Sequence, residues 1–210
     1  MYTILLSAGW PIWPLLVLSV FGLAILLERS WYLRQSRIMP KTDLETAFRL
    51  GDALAQGKPS PSDAIPALGQ SSLAGSLLAC LLFEKQSGNP PQVALEELAA
   101  AVDSASIKLE RYLGALATIA TLAPLLGLFG TVVGMIEIFG SQGIVTGSGG
   151  NPQQLANGIS IALYNTAFGL LIAIPAYAGW RAFRALADQR QRECEEFARQ
   201  LFKKLYPETR

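Results

Sequence analysis

The sequence predicts an all-α integral membrane protein with three transmembrane helices. Three stretches, residues 1–27, 112–136 and 138–180, contain no Asp, Glu, Lys or Arg. A helix needs about 20 mostly apolar residues to cross the hydrocarbon core, and each stretch is long enough. In the third stretch residues 140–154 are polar and rich in glycine, so only the residues that follow them are expected to enter the bilayer.

The basic residues set the expected orientation. All 17 Lys and Arg lie in two segments, nine of them between residues 28 and 111 and eight from Arg181 onward. Lys and Arg accumulate in loops on the cytoplasmic side of a membrane. The N-terminus is therefore predicted to lie outside, and the C-terminus inside.

The first span is predicted over residues 12–28, after a short external segment at 1–11. The aromatic residues that flank it, as expected at membrane–water interfaces, are Trp10, Trp13, Trp31 and Tyr32. No basic residue precedes the apolar run, which ends in Glu28-Arg29 rather than at a small-residue cleavage site. A retained anchor is therefore favoured over a signal peptide.

Residues 29–111 are predicted to form a cytoplasmic helical domain. The segment from Thr42 to Glu45 resembles a capping box at the start of a helix. Residues 68–86 are apolar enough to suggest a fourth span, but their insertion would invert the orientation of every later basic residue, so a packed helix is predicted instead. From Val93 an amphipathic pattern is expected to continue without a breaker into span two.

Span two is predicted over residues 112–137. At 100° per residue, one stripe, small or imino apart from Ile138, surrounds a single hydroxyl group, that of Thr131. The members of the stripe are Ala120, Pro124, Gly127, Thr131, Gly134 and Ile138. Small residues let membrane helices approach closely, and they also suit the wall of a narrow cavity.

Span three is predicted over residues 157–180, after an external loop at 138–156, and its stripe is centred on Thr166. The other members are Ile159, Ala162, Gly169, Leu170, Ala173 and Tyr177. A membrane threonine often bonds only to a carbonyl of its own helix, but two matched stripes on adjacent spans favour a shared cavity. A lone subunit is expected to leave both stripes facing lipid, which predicts a homo-oligomer. Residues 181–210 are predicted to extend span three into the cytoplasm as a charged helix.

Catalytic and metal chemistry find no support in the sequence. There is no His, which excludes a His metal site, a His proton relay and a Ser-His-Asp triad. Cys80 and Cys194 lack metal-ligand spacing and are expected on the reducing side of the membrane. The sequence therefore predicts no enzyme, no metal and no cofactor, and no nucleic-acid partner is expected.

Two long segments resemble motifs of the MotA/TolQ/ExbB proton channel family, in its ExbB/TolQ branch. Residues 122–135 read LAPLLGLFGTVVGM, and residues 155–176 read LANGISIALYNTAFGLLIAIPA. The opening WPLLVLS at 13–19, followed by Glu28-Arg29, also fits the first span of that family. The resemblance covers all three spans in order, and three spans fit this branch better than MotA-type proteins, which usually have four.

The resemblance implies a ring of subunits, a pentamer, in the bacterial inner membrane, so that the external segments would be periplasmic. Such a ring would be the channel scaffold of a motor that uses proton-motive force for transport or envelope work. A single-span partner resembling ExbD or TolR would supply the Asp that carries the proton, and a TonB- or TolA-like protein would span the periplasm. The implied pore-lining residues are Thr131, Thr166, Gly127, Gly134, Pro124, Ala162, Gly169 and Ala173.

The sequence departs from the family at Ile161, where ExbB and TolQ commonly have Glu. Spans two and three then contain no ionisable side chain except tyrosine before Glu137, so a conducting path requires an acid from a partner. The alternatives are a non-conducting membrane scaffold, in which the stripes merely pack, and a stator subunit of another motility-type motor. A secondary transporter is disfavoured because the three spans contain no internal repeat.

Overall fold

The computed structural model of the protein describes residues 10–58, 60–61, 63–142 and 152–207, and in this part of the chain every regular element is a helix. The helices are α1 (Ile12–Tyr32), α2 (Gln35–Ile38), α3 (Lys41–Ala55), α4 (Ala64–Ser71), α5 (Leu73–Gln86), α6 (Pro91–Glu110), α7 (Leu113–Gln142) and α8 (Pro152–Leu205). Three helical segments among the described residues are long and apolar enough to cross a membrane. The predicted all-helical fold with three spans is confirmed.

The helices divide between two compact units. One unit comprises Met1–Glu28 and Tyr112–Ala182, and the other comprises Arg29–Arg111 and Phe183–Arg210. The 54-residue helix α8 is continuous and contains Pro175. The prediction that the helix of span three continues into the charged C-terminal segment is therefore confirmed.

The second unit has an apolar core of its own, centred on α5. Leu78, Leu81 and Leu82 have no exposed surface, and they cluster with Leu50 of α3 and Leu201 of α8. Burying a leucine side chain contributes about 1.5–3 kcal/mol, so α5 is stabilised by protein contacts on its apolar face. The prediction that residues 68–86 pack in a core rather than form a fourth span is confirmed.

Two local predictions in this unit were wrong. No capping box forms, because α3 begins at Lys41 and Thr42 already lies inside the first turn. The predicted single helix at 68–86 is interrupted at Ser72. The Ser72 hydroxyl oxygen accepts a hydrogen bond from the Gly75 N–H at 3.0 Å and caps the start of α5.

The predicted unbroken helix from residue 93 into span two is also interrupted. Helix α6 ends at Glu110, and Tyr112 has a left-handed φ of 63°. Arg29 caps the end of α6. Its guanidinium, in a residue only 1% exposed, donates hydrogen bonds to the carbonyl oxygens of Lys108 (3.4 Å) and Leu109 (3.2 Å). These are carbonyls of the last turn, which a helix cannot satisfy by itself, and a cation there is favourable.

Candidate functional site

The small-residue faces of α7 and α8 touch each other within one chain. A Cβ atom built on Gly127 would lie 2.8 Å from the carbonyl oxygen of Asn165 and 3.2 Å from the Cα of Gly169. A Cβ atom on Gly169 would lie 2.5 Å from the carbonyl oxygen of Ala123. Only glycine lets two helix backbones come this close.

The contact continues along both helices. A Cβ atom on Gly134 would lie 3.3 Å from the Cβ of Ala162, and Ala173, which is buried, clusters with Leu15 and Ala123. The predicted pore-lining residues that lie in contacts within the subunit are Gly127, Gly134, Ala162, Gly169 and Ala173. The expectation that a lone subunit leaves both stripes facing lipid is wrong for these five residues, which pack within the subunit, whereas Ile159, Leu170 and Tyr177 of the span-three stripe are exposed.

Thr131 is half-buried and already has an acceptor for its hydroxyl proton. Its Oγ1 donates to the carbonyl oxygen of Leu128, one turn earlier, at 2.6 Å. The residue lines an open groove of about 520 Å³ on α7, together with the apolar side chains of Val132 and Phe139. Bonding of a hydroxyl to its own helix is common here, since Thr118 Oγ1 donates to the Gly114 carbonyl at 2.9 Å.

Thr166 is half-buried beside the tightest part of the contact. Its Cα would lie 3.0 Å from a Cβ on Gly127, and within the described part of the chain its hydroxyl has no hydrogen-bond partner. Pro124 is half-buried in α7. The side chain of Ile161, where the sequence departs from the family, lies outside the described residues.

Asn165 is a polar residue of this contact that the sequence analysis did not single out. It is 1% exposed, and its side chain covers Gly130, where a new Cβ would lie 2.8 Å from the Asn165 Cβ and 3.0 Å from its Nδ2. The available signal was an amide inside a charge-free span, because polar side chains at membrane depth are rare and tend to join helices.

The α7–α8 contact contains no charged side chain. Helix α7 has no Asp, Glu, Lys or Arg before Glu137, and α8 has none before Arg181. The contact therefore offers two threonine hydroxyls and an amide, but no carboxylate that could carry a proton through the membrane interior.

Metal and thiol chemistry are not favoured in the described part of the chain. No cluster of three or more His, Cys, Asp or Glu side chains there could hold a metal ion. Both cysteines are free thiols. Burial, followed by the negative charge of Glu193, raises the pKa of Cys194 to about 11, and burial likewise raises the pKa of Cys80. Both side chains are therefore protonated and weakly nucleophilic at neutral pH.

The residues that form this contact lie within a segment that matches a known protein family. Residues 69–196 match the model of the MotA/TolQ/ExbB proton channel family. This range covers more than half of the chain, including all of α7 and the part of α8 that contacts it.

Three relatives agree with the family match. The putative biopolymer transport protein ExbB-like 1 of Synechocystis sp. is 32% identical over 194 residues, which cover 92% of this chain and 73% of that protein. The biopolymer transport protein exbB1 of Vibrio cholerae is 46% identical over 80 residues, 38% of this chain and 35% of the relative. The Tol-Pal system protein TolQ of Pseudomonas aeruginosa is 36% identical over 110 residues, 50% of this chain and 47% of the relative. With its three apolar helices, the chain is thus a membrane protein that belongs to the MotA/TolQ/ExbB proton channel family, in its ExbB/TolQ branch.

Proposed function

We propose that this protein is the proton-channel scaffold subunit of a motor of the ExbB–ExbD or TolQ–TolR type. Its copies form a ring, a pentamer, around the helices of a single-span partner similar to ExbD or TolR. The partner supplies an Asp at mid-membrane depth, and the motor drives transport or envelope work through a TonB- or TolA-like protein. The ring lies in the bacterial inner membrane with the N-termini in the periplasm and the C-termini in the cytoplasm.

The observation that carries this proposal is a pair of half-buried threonines on two spans that carry no charge at mid-span. Thr131 and Thr166 lie on α7 and α8, and no carboxylate or basic side chain occurs at mid-span on either helix. Because an ion path through an apolar wall needs a titratable group, the proton carrier has to come from another chain. The family membership favours a single-span partner as that chain.

The hydrogen bond of Thr131 favours one protonation state of the partner's acid. While Oγ1 donates to the Leu128 carbonyl oxygen, its lone pairs remain free, so it can accept a hydrogen bond from a protonated carboxylic acid. The Thr166 hydroxyl can donate to a carboxylate as well as accept. We infer that Thr131 favours the protonated acid and that Thr166 serves both forms.

The proposal divides the predicted pore lining into two roles. Thr131, Thr166 and Pro124, all half-buried, form the wall that faces the partner. The small residues Gly127, Gly134, Ala162, Gly169 and Ala173, of which all but the half-buried Gly134 are buried, act indirectly, by bringing the two helices together so that the wall has a fixed shape.

A non-conducting scaffold is the competing function. It is favoured by the same contacts between α7 and α8, because close packing explains the small-residue stripes without any pore. The two functions differ in the role of the threonine hydroxyls. A scaffold needs only the shape of the threonine side chains, whereas a proton channel also needs their hydroxyl groups.

The deciding experiment replaces both threonines with valine, which keeps the shape and removes the hydroxyl. The chain and the single-span protein that co-purifies with it are reconstituted in liposomes, and proton flux under an imposed potential is followed with a pH-sensitive dye. Thr131→Val, Thr166→Val should assemble normally and lose flux about tenfold or more, the effect of one lost hydrogen bond in the conducting step.

Thr118→Val is the matched control. Thr118 is exposed on the same helix and makes the same kind of bond to its own backbone, so its replacement should leave the flux unchanged. Full flux in the double variant would refute the pore assignment and leave the scaffold function. A wild-type complex that conducts no protons, or that recruits no single-span protein, would also favour the scaffold.

A further inference from the structure

A basic segment without acidic residues follows the first span. Between Glu28 and Asp43 the chain contains Arg29, Arg34, Arg37 and Lys41 and no Asp or Glu. Arg29 is used internally, where it caps α6. Arg34, Arg37 and Lys41 are exposed, and basic residues next to the end of a span attract anionic lipids.

A cavity of about 420 Å³ opens beside this segment. Its polar lining comes from Tyr32, Ser36 and Arg37 on one side and from Ser71 and Ser72 on the other. Tyr32 is the last residue of α1, so the cavity lies next to the end of a membrane span. Its lining therefore combines a cation with several hydroxyl groups.

Most of the hydroxyls around the cavity remain able to donate a hydrogen bond. Ser71 Oγ is occupied, because it lies 2.7 Å from both the Asp43 carboxylate and the Leu68 carbonyl oxygen. Ser72 Oγ accepts from Gly75 N–H, which leaves its own proton to donate. The 14-residue helix α5 begins directly after Ser72, and its first N–H groups have no acceptor within the helix.

Arg37 lies beside an aromatic ring and keeps its charge. Its guanidinium lies 5.6 Å from the centre of the Trp31 ring, and in the described part of the chain it makes no ion pair. A cation–π contact of this kind leaves the donors and the charge of the guanidinium available. A planar guanidinium is well suited to a phosphate, which it can bind through two parallel hydrogen bonds.

We propose that the cavity bordered by Tyr32, Ser36, Arg37 and Ser72 binds the phosphate group of an anionic phospholipid headgroup. A soluble phosphate ester presents the same group and is the other possible source of the ligand. The proposal does not depend on proton conduction or on ring formation.

The test uses the full-length chain purified in detergent. Native mass spectrometry measures the binding of phosphatidylglycerol and of phosphatidylcholine, and calorimetry measures the binding of glycerol phosphate. We expect phosphatidylglycerol to bind more tightly than phosphatidylcholine. Arg37→Ala should weaken that binding about tenfold, the effect of one charged hydrogen-bond donor. Ser36→Glu, which adds a negative charge at the cavity wall, should weaken it too and serves as the test if Arg37→Ala fails to fold.

Arg34→Ala is the matched control, because Arg34 belongs to the same basic segment but does not line the cavity. It should change the affinity for phosphatidylglycerol less than twofold, on the order of an exposed charge. If only glycerol phosphate binds, and Arg37→Ala abolishes its binding, the site is confirmed with a soluble ligand. Equal losses in Arg34→Ala and Arg37→Ala, or no binding of any of the three ligands to the wild type, would overturn the proposal.

Discussion

Replacing Gly169 with alanine is expected to destabilise the contact between α7 and α8. The new Cβ would lie 2.5 Å from the carbonyl oxygen of Ala123, whereas ordinary contacts begin at 3.4 Å. Its nearest neighbours are all backbone atoms, of Ala123 and Gly127, so no side chain can rotate away and the helices must separate by nearly 1 Å. A gap of this size forfeits about a quarter to a half of each dispersion contact along the interface.

The expected cost follows from two opposing effects. Overpacking a tight core costs about 1–3 kcal/mol, and a gap of this size puts Gly169→Ala near the upper end. Alanine regains about 1 kcal/mol because it is a better helix former than glycine. The net loss in the free energy of unfolding should therefore be about 2 kcal/mol, and assembly of the proposed ring should weaken with it.

Gly114→Ala separates the steric effect from the helix propensity. Gly114 lies on α7, and a Cβ there would meet nothing within 4 Å. Unfolding in a titration with sodium dodecyl sulfate, followed by circular dichroism, should show Gly169→Ala less stable than the wild type and Gly114→Ala equal or more stable. If the two variants have the same stability, the close approach of the backbones does not limit the fold and the reasoning is wrong.

Three further predictions concern the second unit and the orientation. Arg29→Met should lower the free energy of unfolding by about 3 kcal/mol, because it leaves two carbonyls at the end of α6 without their charged donor, whereas Arg34→Met at an exposed position should have no measurable effect; equal effects would contradict the capping role. Since the pKa of Cys194 is raised to about 11, only about one thiol in a thousand is ionised at pH 8. Alkylation of Cys194 by iodoacetamide, followed by mass spectrometry of its peptide, should be slow there and should accelerate about tenfold per pH unit up to about pH 10; a rate that already levels off near pH 9.0, the ordinary pKa of a thiol, would refute the raised pKa. Reporter fusions after Gly57 and at the C-terminus should both read cytoplasmic, and a periplasmic signal after Gly57 would overturn the orientation.

The elements that depend on local composition were predicted well. The number of spans follows from the length of charge-free runs, because the cost of placing charges in hydrocarbon is a property of each segment alone. The core position of α5 was predicted for a related reason, since the charge pattern of the whole chain excluded a fourth span. The capping box failed because Pro40 already provides the extended residue that precedes α3.

The features that were not predicted depend on contacts between residues far apart in the sequence. Periodicity identified the stripes that contain Gly127 and Gly169, but it could not show that they contact each other inside one subunit. The interruption of the predicted continuous helix also involves distant residues, since Arg29 caps the end of α6 through carbonyls 79 and 80 residues away.

The sequence by itself therefore determined which segments cross the membrane and which residues could approach closely or offer a hydroxyl. Only the tertiary structure showed which small residues pack in the contact between α7 and α8. It also showed that Asn165 is buried in this contact and that Thr131 and Thr166 remain half-buried beside it. The physical reason is that hydropathy and helix periodicity act over one or a few turns, whereas backbone contacts and buried hydrogen bonds depend on which distant segments fold against each other.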